Sequence, residues 1–261
     1  MSKLRALTGA LLLALVCGVP PATAGATTER ATLHAAFSPN RLGASTTISF
    51  GFHVETAEGT APPPMTKLDL RMPAGLSYTT TTLGLSTCLP QTLLEHGING
   101  CSPNSRLGFG SALVEVPFGT GAGHEIPEIQ AVAGPSPGGN LVVLFYANGA
   151  FPVSAQLVFQ GEVLAASGAF GTQLAANVPL VTSVPGGPDV SIVSVQSTIG
   201  PSHLTYFKHV HGRKVAFHPK GVSVPEHCPR GGFPFAAEFT FQDGNSTSAQ
   251  TAVPCPPRRH R

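Results

Sequence analysis

Tryptophan is absent from this chain, tyrosine occurs three times, and charged residues make up only 11% of it. The first two absences remove the exposed aromatic platforms on which sugar rings and nucleic-acid bases stack. The third argues against a disordered polyelectrolyte: disorder needs low hydrophobicity and high net charge, whereas 42% of the residues here are hydrophobic. Aspartate occurs only at Asp69, Asp189 and Asp243. A Ser-His-Asp hydrolase needs a buried carboxylate to orient its histidine. Each of these three has a plainer reading: Asp69 on the wet face of a strand, Asp189 at a strand start after Pro188, and Asp243 in a turn. Gly108-Phe109-Gly110-Ser111-Ala112 misses the Gly-x-Ser-x-Gly elbow at its last position. No Cys-x-x-Cys, His-Glu-x-x-His, calcium-loop or phosphate-loop pattern occurs. Nor does any apolar run approach the roughly 20 residues of a spanning helix, so no transmembrane anchor is expected.

Residues 1–24 read as an export signal. Lys3 and Arg5 supply the positive start, Ala6 to Val16 the apolar stretch, and Ala22-Thr23-Ala24 the small-residue cleavage site. The mature chain is expected to begin at Gly25, in a secreted or extracytoplasmic place that permits disulfides. Cys17 leaves with the signal, and Cys88, Cys101, Cys228 and Cys255 remain. Four thiols allow three connectivities, and the short spacings favour Cys88–Cys101 and Cys228–Cys255. Without Lys3 and Arg5 the charges balance at 13 basic and 13 acidic side chains. They are unevenly spread: 5 basic and 10 acidic over residues 25–200, against 8 basic and 3 acidic over 201–261.

Thr47 to Val54 alternates with period two, placing Ile48, Phe50, Phe52 and Val54 on one face. Lys67 to Met72, Val153 to Phe159 and Phe235 to Phe241 behave likewise, whereas Leu141 to Tyr146 is apolar on both faces and reads as a central strand. Gly and Pro together number 55, and clusters such as Gly134 to Gly139 and Pro185 to Pro188 punctuate the strands. Asp243-Gly244 is a hairpin signal. Only Pro90 to His96, closed by Gly97, has helical spacing, with Pro at its start and Gly past its end. The expectation is an all-β fold, an immunoglobulin-like or jelly-roll-type antiparallel sandwich over residues 25–257 with one short helix. It is one large or two small sandwiches, with a sub-boundary near 134–140 or 184–190, and a basic tail at 258–261.

The segment from Cys228-Pro229-Arg230-Gly231-Gly232-Phe233-Pro234 through Phe239 to Gly244 and on to Val253-Pro254-Cys255-Pro256 resembles the C-terminal end of exported actinobacterial proteins of unknown function. Cys101-Ser102-Pro103 with Gly108 to Ala112 is similar to the middle of the same proteins. This resemblance implies export and no activity. Phe50 through Leu76 resembles the immunoglobulin-like repeats of bacterial surface proteins, which implies a sandwich.

No catalytic residues emerge. Glu125 and Glu128 flank Pro127 and read as an exposed strand start, not as the facing carboxylates of a glycosidase. Histidine is the enriched functional type, with ten in the chain. His209 and His211, two apart on a strand, would share a face, and a hairpin near Gly212-Arg213 would bring His218 toward them, making these the candidate metal ligands. Lys208, Arg213 and Lys214 surround the pair and repel a dication, so the expectation is no metal and no cofactor. The basic stretch instead suits an anionic envelope polymer, with another surface protein as the alternative partner and nucleic acid disfavoured by export. The chain reads as a non-catalytic structural or binding protein of the bacterial cell envelope or its surroundings. The alternative is a secreted hydrolase or metal-binding protein using His209 and His211 or carboxylates from several strands.

Overall fold

Residues 29–77 and 83–257 are described in a computed structural model. The expected export signal at 1–24, Cys17 and the tail at 258–261 lie outside them. β1 (Glu29–Ser38) and β2 (Ser45–Thr56) pair antiparallel, with Glu29 opposite Thr56 and Ser38 opposite Thr47. β3 (Met65–Pro73) follows, and then the expected helix, α1 (Pro90–His96). The middle of the chain forms β4 (Arg106–Phe118), β5 (Gly121–Glu125), β6 (Glu128–Ala133), β7 (Leu141–Asn148), β8 (Gln156–Ala165), β9 (Phe170–Asn177) and β10 (Ser191–Ile199). β11 (Tyr206–Val210), β12 (Arg213–Phe217), β13 (Val222–Ser223), β14 (Phe233–Phe241) and β15 (Ser246–Val253) complete it. The chain is all-β and antiparallel with one short helix.

Thirteen strands join one sheet along the path β1-β2-β10-β4-β6-β7-β8-β9-β3-β14-β15, with β13 on β2 and β5 on β4. This path coils until its edges lie side by side. Thr247 Oγ1 donates to the Glu29 carbonyl at 3.0 Å, and Asn40 Nδ2 donates to the Pro254 carbonyl at 2.8 Å. Eleven antiparallel strands leave the two edges running in the same direction, so contacts of this kind join them and the sheet is nearly closed. The expected sandwich is thus a single sheet rolled onto itself. Residues 134–140 form the β6–β7 hairpin and 184–190 lie between β9 and β10; the strands flanking both belong to this sheet.

One wall of the interior is filled by phenylalanine. Alternation in β2 and β14 turns Phe50, Phe52, Phe233, Phe235, Phe239 and Phe241 inward, all buried, and Phe52 and Phe239 pack at 4.8 Å between ring centroids. The opposite wall carries α1 on its outside. β7 is apolar on both faces because Val143 and Phe145 point into the barrel while Leu144 and Tyr146 meet Leu93 of α1 and the Cys88–Cys101 cystine. Both expected disulfides are present, with Cα–Cα distances of 5.4 and 5.7 Å. Asp69 faces outward as expected but is buried, not wet. Lys67 Nζ lies 2.6 Å from its carboxylate, and Gln173 Nε2 donates to it at 2.9 Å. Among the described residues no helix is long and apolar enough to cross a membrane.

The registers divide the connections between two ends of the barrel. At one end lie residues 57–64, 126–127, 149–155, 178–190 and the Asp243-Gly244 hairpin. At the other lie the β1–β2 turn, residues 134–140, both cystines and the separate two-stranded hairpin β11–β12.

Candidate functional site

Across the barrel from the phenylalanines of β2 and β14, Phe145 and Phe159 also point inward, but several inward positions around them are small: Ala112 on β4, Ala147 on β7, Ala155 just before β8 and Ala176 on β9. The missing side-chain volume leaves a cavity of about 190 Å³. Phe145 and Phe159, stacked at 5.1 Å between centroids, line it along with Phe52, and Val153, Leu180, Val181 and Val190 line it toward the end that carries 149–155 and 178–190. An apolar cavity of about 150 Å³ stays dry and holds a benzene-sized molecule, so this one has room for a small apolar ligand.

The two loops at this end are held by their own backbone. Val178 N–H donates to the Thr66 carbonyl and Val190 N–H to the Val181 carbonyl, both at 2.8 Å. Gln242 Nε2 donates to Asp189 at 2.9 Å, tying 178–190 to the β14–β15 hairpin. Apolar side chains are exposed at this end of the barrel: Ile126 is 69% and Phe151 82% exposed, and Leu180 and Val184 are exposed on 178–190.

Two polar side chains line the cavity, Glu125 and Ser197. Ser197 Oγ donates to the Phe50 carbonyl at 3.1 Å and is thereby spent. Glu125, expected on an exposed strand start, is only 8% exposed. β5 pairs with β4 so that Glu125 stands opposite the inward-facing Val114, which brings its carboxylate inside. Glu125 Oε1 accepts from the backbone N–H groups of Ala150 at 2.6 Å and Phe151 at 3.1 Å. Gly149 makes the approach possible: a Cβ there would stand 2.6 Å from the same oxygen. Glu128 is exposed, so the two glutamates do not face each other across a cleft. Local pattern gave no sign of Glu125, because its orientation depends on the β4–β5 register and not on its neighbours in sequence.

The histidine-rich stretch forms the β11–β12 hairpin, off the main sheet and exposed on both faces. His209 lies opposite Lys214 on one face, whereas Lys208 and Arg213 point to the other. His211 occupies the turn with Gly212, at φ 50° and 76°, so it does not share a strand face with His209. His218 Nδ1 hydrogen-bonds the Leu204 carbonyl at 2.9 Å. The structure therefore does not bring the three candidate metal ligands together, and among the described residues no three His, Cys, Asp or Glu side chains are grouped to hold a metal ion. Lys214 Nζ sits 4.2 Å above the Phe207 ring and Lys208 Nζ 5.5 Å above that of Phe217, leaving both heads in water. The hairpin is anchored at its base by Asn104, whose side chain exchanges two hydrogen bonds with the Phe207 backbone. No protein-family model, curated protein or solved structure matches this chain.

Proposed function

We propose that this is an exported, non-catalytic binding protein of the bacterial cell envelope or its surroundings, and that it encloses a small apolar ligand in the barrel. The observation that carries this reading is the cavity, whose lining is nearly all apolar. Barrels of about eight strands either fill their interior with side chains or hold one small ligand; the eleven-stranded path here is wider, and small residues at Ala112, Ala147, Ala155 and Ala176 favour an enclosed ligand. Two cystines and the reading of residues 1–24 support export, as does the resemblance to exported actinobacterial proteins. The basic β11–β12 hairpin, at the opposite end, is proposed to meet an anionic envelope polymer. All three aspartates have structural partners, which supports a non-catalytic role.

Calorimetric titration of the chain from Gly25 with n-octanol tests the cavity. Saturable one-to-one binding with a negative heat-capacity change is expected. Ala112→Leu should abolish it while holding or raising the melting temperature, because the new side chain fills a void. Undiminished binding in that variant would place the ligand elsewhere.

A further inference from the structure

Among the described residues Glu125 is the only ionisable side chain on the cavity wall, and none of them gives it a counter-charge. Its Oε1 is occupied by two neutral backbone donors, while Oε2 has no hydrogen-bond partner, and no lysine, arginine or histidine among the described residues pairs with it. A carboxylate set among apolar side chains is costly unless something compensates it, and the two neutral N–H donors do so only in part. No charged group in the cavity lining completes the compensation, because the other described lining residues are apolar, Gly149 or the already engaged Ser197.

The surroundings carry the same sign. The strand ends and loops on this side of the barrel hold Glu29, Glu55, Glu58, Glu115, Glu128, Asp189 and Asp243, against Arg30, the Lys67 that pairs with Asp69, and His53 and His124, which lie 3.4 and 3.7 Å from Glu55 and Glu115. A low-dielectric cavity opening into such a field attracts a cation and disfavours an anion.

We infer that the cavity takes an amphiphilic amine: an apolar body among Phe52, Phe145 and Phe159, with its ammonium on the free oxygen of Glu125. This rests on the cavity reading above and adds the head group to it. The ammonium supplies both the missing counter-charge and a charge-assisted hydrogen bond. A fatty carboxylate, equally apolar in its chain, is repelled at the same place.

The test is a calorimetric comparison of octylamine, n-octanol and octanoate, which share one chain and differ in the head, on wild type and on Glu125→Gln. Glutamine keeps a carbonyl oxygen for the Ala150 and Phe151 N–H groups and removes the charge. Octylamine should bind wild type about tenfold or more tighter than octanol, and octanoate weakest. Glu125→Gln should bring octylamine and octanol within about twofold of each other by weakening the amine alone. If octanol binds but octylamine is no tighter, or the amine preference survives in Glu125→Gln, the inference is wrong and the cavity reading stands. If none of the three binds wild type, the cavity reading itself fails. The wild-type series decides the head-group question even where the variant folds poorly.

Discussion

Gly231 and Gly232 sit at φ 92° and 96°, where an L side chain is strained, and Gly232 N–H donates to the Pro229 carbonyl at 3.0 Å. They differ in their surroundings. A Cβ at Gly231 would meet nothing within 4 Å, whereas one at Gly232 would lie 2.5 Å from the Val253 carbonyl oxygen. Gly231→Ala should therefore cost only the backbone term, about 1–2 kcal/mol. Gly232→Ala must in addition push β15 away from β14, and roughly 3 kcal/mol or more is expected. Urea unfolding of the two variants checks the order; equal losses would remove the packing argument for the glycine pair. Tyr206 offers a second residue-level test. It is fully buried, accepts from Gly84 N–H at 3.0 Å and donates to the Arg106 carbonyl. Burial pushes its pKa up, against a smaller opposing pull from the Gly84 N–H. A raised folded-state value makes its contribution complete below the unfolded pKa near about 10 and lost as pH rises through the folded value. Wild-type stability should fall more steeply above about pH 10 than that of Tyr206→Phe, which in turn gives up about 1–3 kcal/mol at neutral pH by leaving the Arg106 carbonyl and Gly84 N–H unpaired. Parallel pH profiles would rule this out.

Among the elements, α1 is the one that cannot stand by itself, since seven residues fall well short of an independently stable helix. It is held by the burial of Leu93 and by the cystine that closes its loop. Replacing Cys88 and Cys101 with serine should cost about 3 kcal/mol by the chain-entropy model and raise hydrogen exchange at residues 90–97 ahead of the sheet. Unchanged exchange there would mean that Leu93 alone is sufficient. The bounds of α1 were legible because Pro90 and Gly97 act locally, and so were the inward phenylalanines of β14 and the Asp243-Gly244 turn. What was not legible is the strand order. β10 inserts between β2 and β4, and β3 between β9 and β14, across separations that no local period encodes. Glu125 was misplaced for the same reason, and so was the shared face of His209 and His211, which a two-residue turn at His211-Gly212 divides.

On the scale of the whole molecule, the charge asymmetry of the sequence becomes an axial one. No aspartate or glutamate occurs from residue 190 to 225, and this stretch supplies the β11–β12 hairpin at the end opposite the cavity. Retention on an immobilised anionic polymer should fall as salt rises, because screening acts over about 10 Å at 0.1 M. It should weaken further in Arg213→Ala, Lys214→Ala, with octanol binding untouched. Salt-independent retention, or none, would detach the hairpin from any polyanion.

The seam between β1 and β15 bears on what becomes of two strand edges. With only 11% of its residues charged, the chain has few ionic groups to hold copies apart, and an open strand edge would then template pairing between molecules. Here each edge hides the other without bonding to it as a ladder, so shape takes the place that repulsion holds in more highly charged proteins. A break in that closure, at Asn40 or Thr247, would expose two sticky margins at once, each able to add a strand from another copy.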